Sequence, residues 1–182
     1  MQALKGNVND EFPEVAETCA LALSRIKHFQ KHEPQNVNSG FLSVDPAPPL
    51  ESNDVDYLVN IMLNGSLSLF KRYQAIFSLR NMRSDLAVEM ISLGLTHQEC
   101  SALMRHELCY VLGEMELESA IGPLHDVLKD ESQHAMVRHE AAESLGAIGT
   151  MECRKILTNF MNDKVEVVRE SVVVALNRNE FL

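Results

Sequence analysis

Apolar residues recur at helical spacing along most of this chain, in paired runs that begin near residue 55. After Asp54, a residue type that caps helices, the pattern predicts antiparallel pairs over 55–64 with 68–81, 85–95 with 101–115, 117–128 with 135–148, and 151–162 with 165–178. Asn64-Gly65, Gly149-Thr150 and Asn162-Asp163 fall at the joints. Upstream, EVAETCALALSRIKHFQ (14–30) carries Val15, Cys19, Leu21 to Leu23, Ile26 and Phe29 on one broad stripe and predicts a further helix. The polar MQALKGNVNDEF ahead of it reads as a frayed lead-in. Between Lys31 and Asp54 the periodicity breaks, and the Pro46-Ala47-Pro48-Pro49 run cannot continue a helix, so this stretch is a linker or a wrapping segment.

The second member of each pair repeats in sequence as well as in period. LMRHELCYVLGEM (103–115) aligns with MVRHEAAESLGAIG (136–149), bringing Leu112 onto Leu145 and Gly113 onto Gly146. The same frame takes in LFKRYQAIFSLRNM (69–82) and VVRESVVVALNRN (167–179), so that Arg72, Arg105, Arg138 and Arg169 form a column spaced 33, 33 and 31 residues apart. A period in the thirties means stacked helical hairpins. Without the marks of ankyrin or tetratricopeptide units, the pairs are closest to HEAT-type repeats, which predicts an all-α HEAT-like solenoid of stacked antiparallel helix pairs. The expected organisation is an N-terminal helix over 1–32, the remnant of a preceding repeat, then a proline-rich linker over 33–54, then four repeats over 55–182.

Composition narrows what such a stack does. The chain is 46% hydrophobic without a single Trp, and its apolar load of Leu, Val, Ala and Met suits helical packing. A formal net charge of -10 argues against a nucleic-acid partner and favours a basic peptide or a cationic substrate group. No run of about 18 apolar residues offers a membrane span and no signal-peptide pattern follows Met1, so the expected location is cytoplasmic. Cys19, Cys100, Cys109 and Cys153 lack CxxC spacing and read as reduced, buried thiols.

The chemistry sits directly after the arginine column. There the four units read Tyr73-Gln74, His106-Glu107, His139-Glu140 and Glu170-Ser171, and in the N-terminal helix Glu17-Thr18 takes the same place. Only the two middle repeats carry His-Glu. Second helices of a stacked array lie about 8–10 Å apart, so His106 and His139 can meet at one metal. A carboxylate from Glu107 or Glu140 would complete a two-histidine, one-carboxylate face of the kind that suits Fe(II). Successive helical residues point about 100° apart, so one of the two glutamates can be a direct ligand while the other turns to the surroundings of the site or to the substrate.

The arginine column reads as structural, pairing with acids of neighbouring units. His28, His32, His97, His125 and His134 have no counterpart in other repeats and read as surface residues. Met62, Met90, Met104, Met115 and Met136 read as core, with Met136 a candidate for the mouth of the pocket.

Taken together, RHELCYVLG, MVRHEAAESLGAIG, EVAETCALAL, FLSVDPAPP and the closing VVRESVVVAL resemble the deoxyhypusine hydroxylase family from Glu14 to Leu176. The resemblance implies an oxygen-dependent di-iron monooxygenase that hydroxylates a deoxyhypusine side chain on a translation initiation factor. It implies iron on His106, His139 and Glu140, with Glu107 holding the substrate. The family enzyme has two facing halves with four His-Glu pairs, and this chain resembles the second half joined to the end of the first. Self-association, or pairing with a first-half chain, is therefore expected. A HEAT-repeat adaptor without catalysis is the rival reading, and a zinc hydrolase a third. Iron content separates the adaptor from the oxygenase, and the zinc enzyme would need a positioned general base and a preference for zinc.

Overall fold

A computed structural model describes residues 1–32, 41 and 43–178. Parts of the expected linker (33–40 and 42) and the end of the last repeat (179–182) lie outside the described residues. Among the described residues every regular element is helical and there is no strand. The chain divides into two compact units, Met1–Asn81 and Met82–Leu182.

The first unit holds α1 (Gln2–Gly6), α2 (Pro13–Lys31), α3 (Val55–Leu63) and α4 (Leu69–Asn81). The lead-in is thus not wholly frayed, but α1 is five residues long and buries none of them. Pro13 opens α2 at the position where its missing N–H costs nothing. Asp54 caps α3 by accepting from the Tyr57 N–H at 3.0 Å. The described part of the proline-rich segment packs onto α4. There Ala47 is fully buried, the Leu50 N–H donates to Ser78 Oγ at 2.7 Å, and the buried Arg80 guanidinium holds Asp45 at 2.7 and 2.8 Å. These residues wrap α4 and spend their polar groups on it.

The second unit holds α5 (Asp85–Thr96), α6 (Ala102–Met115), a 3-10 turn (Glu118–Ala120), α7 (Ile121–Lys129), α8 (Ala135–Ile148), α9 (Met151–Thr158) and α10 (Glu166–Asn177). Side-chain caps start the helices where the sequence changes character: Ser84 on the Ala87 N–H at 3.2 Å, Ser101 on Met104 at 3.3 Å, and Thr150 on Cys153 at 3.3 Å. Gly149 ends α8 at φ 68°, a left-handed conformation that glycine adopts without a Cβ penalty. Pro123 falls within the first turn of α7, where no intrahelical N–H bond is lost. The second helices α6, α8 and α10 lie side by side, and their core is Met104, Leu108, Leu112, Val137, Leu145 and Val172, each 0% exposed.

The first three arginines of the column tie their second helix to the end of its own first helix, while Arg169 Nη1 donates to the Asp163 carbonyl, in the turn before α10, at 2.7 Å. Arg72 Nε donates to the Met62 carbonyl at 2.7 Å, Arg105 Nη2 to His97 at 3.1 Å, and Arg138 Nε to Leu128 at 2.9 Å. The Met62 and Leu128 carbonyls lie in last turns, where intrahelical donors run out, and the guanidinium supplies one; the His97 carbonyl accepts from the Cys100 N–H at 3.0 Å as well. The expected acid of a neighbouring unit is present for Arg138, which holds Asp163, and Arg105 meets the amide of Gln133 at 3.3 Å in its stead. Of the methionines read as core, Met62, Met104 and Met115 are buried, while Met90 and Met136 are half-buried. All four cysteines are free and buried.

The repeated glycines set how closely these helices approach. A Cβ on Gly146 would lie 2.6 Å from Ala175 Cβ and 2.9 Å from its backbone Cα. No rotamer relieves a clash with backbone, so overpacking of about 1–3 kcal/mol outweighs the roughly 1 kcal/mol by which alanine is the better helix former. Gly146→Ala should therefore lower the urea-unfolding free energy by about 1–2 kcal/mol. Equal or greater stability would mean that α8 and α10 are not in contact there.

Candidate metal centre

The centre is built on α6 and α8, and glycine brings them together. A Cβ on Gly113 would sit 2.7 Å from Ser144 Oγ and 2.9 Å from its Cα, while the Ser144 hydroxyl donates to the Cys109 carbonyl at 2.8 Å. Seven residues, about two turns, separate His106 from Gly113, so both face α8. His106 Nε2 thereby comes 3.0 Å from Glu140 Oε2. The His106 and His139 rings lie 5.4 Å apart between centroids, tilted by 52°. One ligand atom each from His106, His139 and Glu140 falls within 4.8 Å of the other two.

These are the three residues that sequence and resemblance single out for a metal, and the fold assembles them from two repeats. The donor chemistry fits a cation. Two ligands at right angles on an ion about 2.1 Å away are themselves about 3 Å apart, which is the His106–Glu140 separation. The set combines two imidazoles with one carboxylate, the composition associated with Fe(II) sites that keep open positions. The Glu140 side chain is only 10% exposed, whereas the two imidazoles are 25% and 22% exposed and so face an accessible side.

Burial pulls the His106 imidazole toward the neutral form. Its hydrogen bond with Glu140, together with the charges of Glu140, Glu107 and Glu143, more than offsets that, and His106 titrates above its ordinary value. Three carboxylates thus make the centre a cation-attracting one. Beneath it, burial first and the Glu140 charge second push the Cys109 thiol far up, so it stays protonated and inert.

Glu107 is half-buried on α6, outside the close trio, and reaches His106 through its charge. Met136 is half-buried one turn ahead of His139. His134 caps α8 through Nδ1, accepting from the Met136 N–H at 3.2 Å, and His28 packs between Phe29 and Phe70 rather than on open surface. A separate cavity of about 580 Å³ lies between α5 and α7 and is lined by none of the His-Glu residues.

Two further residues stand near the centre: Glu143, and Ser171, which fills in the last repeat the column place that Glu107 and Glu140 fill in theirs. Glu143 Oε1 stands 3.6 Å from His139 Nδ1, and Ser171 Oγ on α10 donates to that same oxygen at 2.8 Å. The available signal is spacing: a carboxylate four residues beyond a histidine shares its helix face.

An all-helical array of HEAT repeats, presenting two histidines and a glutamate at one point, defines the class of this protein. A family model described as HEAT repeats matches residues 91–177. The chain is 43% identical to human deoxyhypusine hydroxylase over 181 residues, covering 99% of this chain and 59% of that one. It is 43% identical to the Drosophila melanogaster enzyme over 173 residues (94% and 57%) and 42% identical to that of Candida albicans over 179 (94% and 56%). A solved structure of human deoxyhypusine hydroxylase in complex with glycerol superimposes with a TM-score of 0.91 at 43% identity, over 97% of this chain and 60% of that chain. By sequence and fold together nearly the whole chain is similar to deoxyhypusine hydroxylases, and it spans less than two thirds of the length of these relatives. Among the described residues no helix is long and apolar enough to cross a membrane.

Proposed function

We propose that this chain contributes an iron-holding half of a deoxyhypusine monooxygenase. The observation that carries the reading is the meeting of His106, His139 and Glu140 ligand atoms within 4.8 Å, in a chain about 43% identical to proteins named deoxyhypusine hydroxylase. His106 and His139 would hold an iron as neutral imidazoles, and Glu140 would add the anionic donor. Iron in such a centre supplies the redox chemistry that activates molecular oxygen. In the reaction one oxygen atom enters a C–H bond of the deoxyhypusine side chain, and the other leaves as water with two electrons from an external reductant. Glu107 meets the ammonium groups of that side chain and sets the reacting carbon over the centre. The net charge of -10 draws in the basic loop of the translation initiation factor that bears it. The partner half of the di-iron site comes from a second copy or from a companion chain, in the cytoplasm. Against a non-catalytic HEAT adaptor stands the His106–Glu140 contact, which such an adaptor does not need.

The test is iron per chain, solution mass, and hydroxylation of the deoxyhypusine-bearing factor. Stoichiometric iron and product in an assembled species are expected. A monomer purified without chelator that holds no iron would favour the adaptor. Within the same assay the two glutamates separate. An amide is a poor substitute for a metal-bound carboxylate, so Glu140→Gln should lower iron occupancy. Glu107→Gln should keep iron and weaken factor binding roughly ten- to a hundredfold, the loss of one charge-assisted hydrogen bond of about 1.5–3 kcal/mol. Equal iron loss in both variants would make both carboxylates ligands and end the division of roles.

A further inference from the structure

The metal reading leaves open what fixes the orientation of His139, and a histidine offers a different nitrogen depending on which one carries its proton. Glu143 lies one turn along α8, on the same helix face, with Oε1 3.6 Å from His139 Nδ1. That is longer than a hydrogen bond but close enough for a carboxylate to favour an N–H directed at it. Glu143 is not a freely swinging side chain, because the buried Ser171 of the next repeat donates to the same oxygen at 2.8 Å. Three side chains from two helices therefore form a line running from α10 to the edge of the centre. Its last member is a residue the sequence alone marks as a ligand.

We propose that Glu143 is a positioning residue, held by Ser171, that keeps the His139 proton on Nδ1 and so presents Nε2 to the metal. The proposal rests on the metal reading only for its consequence; the tautomer is a property of the metal-free chain. A carboxylate behind a ligating imidazole fixes the ring and raises its basicity, and losing such a partner costs about 10- to 100-fold in metal affinity. Ser171 acts through Glu143 and not on the metal. Its hydroxyl spends its proton on Oε1, which orients the carboxylate. In the last repeat's column, where His106 and His139 are followed by glutamate, the serine thus touches the carboxylate of Glu143.

The experiment has two readouts on the full chain. In metal-free protein, nitrogen-15 NMR of the His139 ring reports which nitrogen is protonated. Wild type should show the Nδ1–H form and Glu143→Ala should lose it. Ser171→Ala should shift the same signal less, and should add nothing in the Glu143→Ala background. In parallel, titration with Co(II), followed by its visible absorption, should be about 10- to 100-fold weaker for Glu143→Ala. Glu143→Gln keeps an acceptor oxygen and should fall between. A merely structural role would lower the unfolding midpoint while leaving the tautomer unmoved, which overturns the proposal. So does an Nε2–H form in wild type. If wild type binds no Co(II), the metal reading fails on its own, and the tautomer comparison still decides the role of Glu143.

Discussion

His139→Ala should empty the proposed metal centre and leave the helices standing. Removing one of three protein donors is a larger loss than removing an outer partner, which alone costs about 10- to 100-fold in affinity. Iron per chain should fall below what mass spectrometry detects after a desalting step. The fold should survive because the His139 side chain is 22% exposed at the edge of the centre, where it meets the polar groups of His106, Glu140 and Glu143. Truncating it opens no cavity in the Leu108, Leu112, Val137 and Leu145 core. The far-ultraviolet circular dichroism spectrum should match wild type, and the unfolding midpoint should shift little in the metal-free state. Unchanged iron stoichiometry in this variant would take His139 out of the ligand set. Iron loss together with collapsed helicity would mean that the imidazole is part of the packing instead.

How much of this was legible beforehand differs from element to element. The α6 and α8 helices match their expected bounds to within a residue, because each aligns with the other in the repeat and has a Ser or Gly at a boundary. The α9 helix is expected to run to residue 162 but closes at Thr158, where the Asn159 and Phe160 N–H groups turn back three residues to Ile156 and Leu157. Periodicity cannot register such a tightening, since the apolar positions carry on through it. The equivalence of Gly113 and Gly146 is visible in sequence, yet its reason, a helix neighbour closer than a Cβ permits, is a property of packing.

The arginine column shows the same limit more sharply. Its acidic partner could be anticipated by charge, but its main partners are the carbonyls of Met62, His97 and Leu128, and a carbonyl has no sequence signature. The His-Glu trio was legible because two copies in register stand out against sister repeats that lack them. Glu143 and Ser171 were not, because Glu143 is a single occurrence and Ser171, though it stands in the column, offers no ligand chemistry; what joins them is an approach between α8 and α10.

The largest stability effect is expected at Asp163. Arg138 is 2% exposed and holds this carboxylate with both arms of its guanidinium, Nη1 at 3.2 Å from Oδ1 and Nη2 on Oδ2. Asp163 also accepts from the Val165 N–H at 2.9 Å, which sets the entry into α10. Asp163→Ala leaves a buried guanidinium with the Leu128 carbonyl as its remaining partner, and breaking a buried pair from one side costs about 3–5 kcal/mol. That is a large share of the roughly 5–15 kcal/mol by which domains of this kind are folded. The pH dependence identifies the cause. The Arg138 hydrogen bonds, against an opposing desolvation and with help from the Val165 N–H and the Arg138 and Lys164 charges, hold the Asp163 carboxyl below its ordinary value. A depressed folded-state value contributes stability that is fully present above the unfolded aspartate value of about 3.9 and is lost as pH falls through the lower folded one. Urea unfolding of wild type and variant should therefore differ by about 3 kcal/mol or more at pH 7, and the gap should narrow as the pH is taken below about 4. A gap that stays constant down to the acid transition would assign the loss to packing at the start of α10 and not to the ion pair.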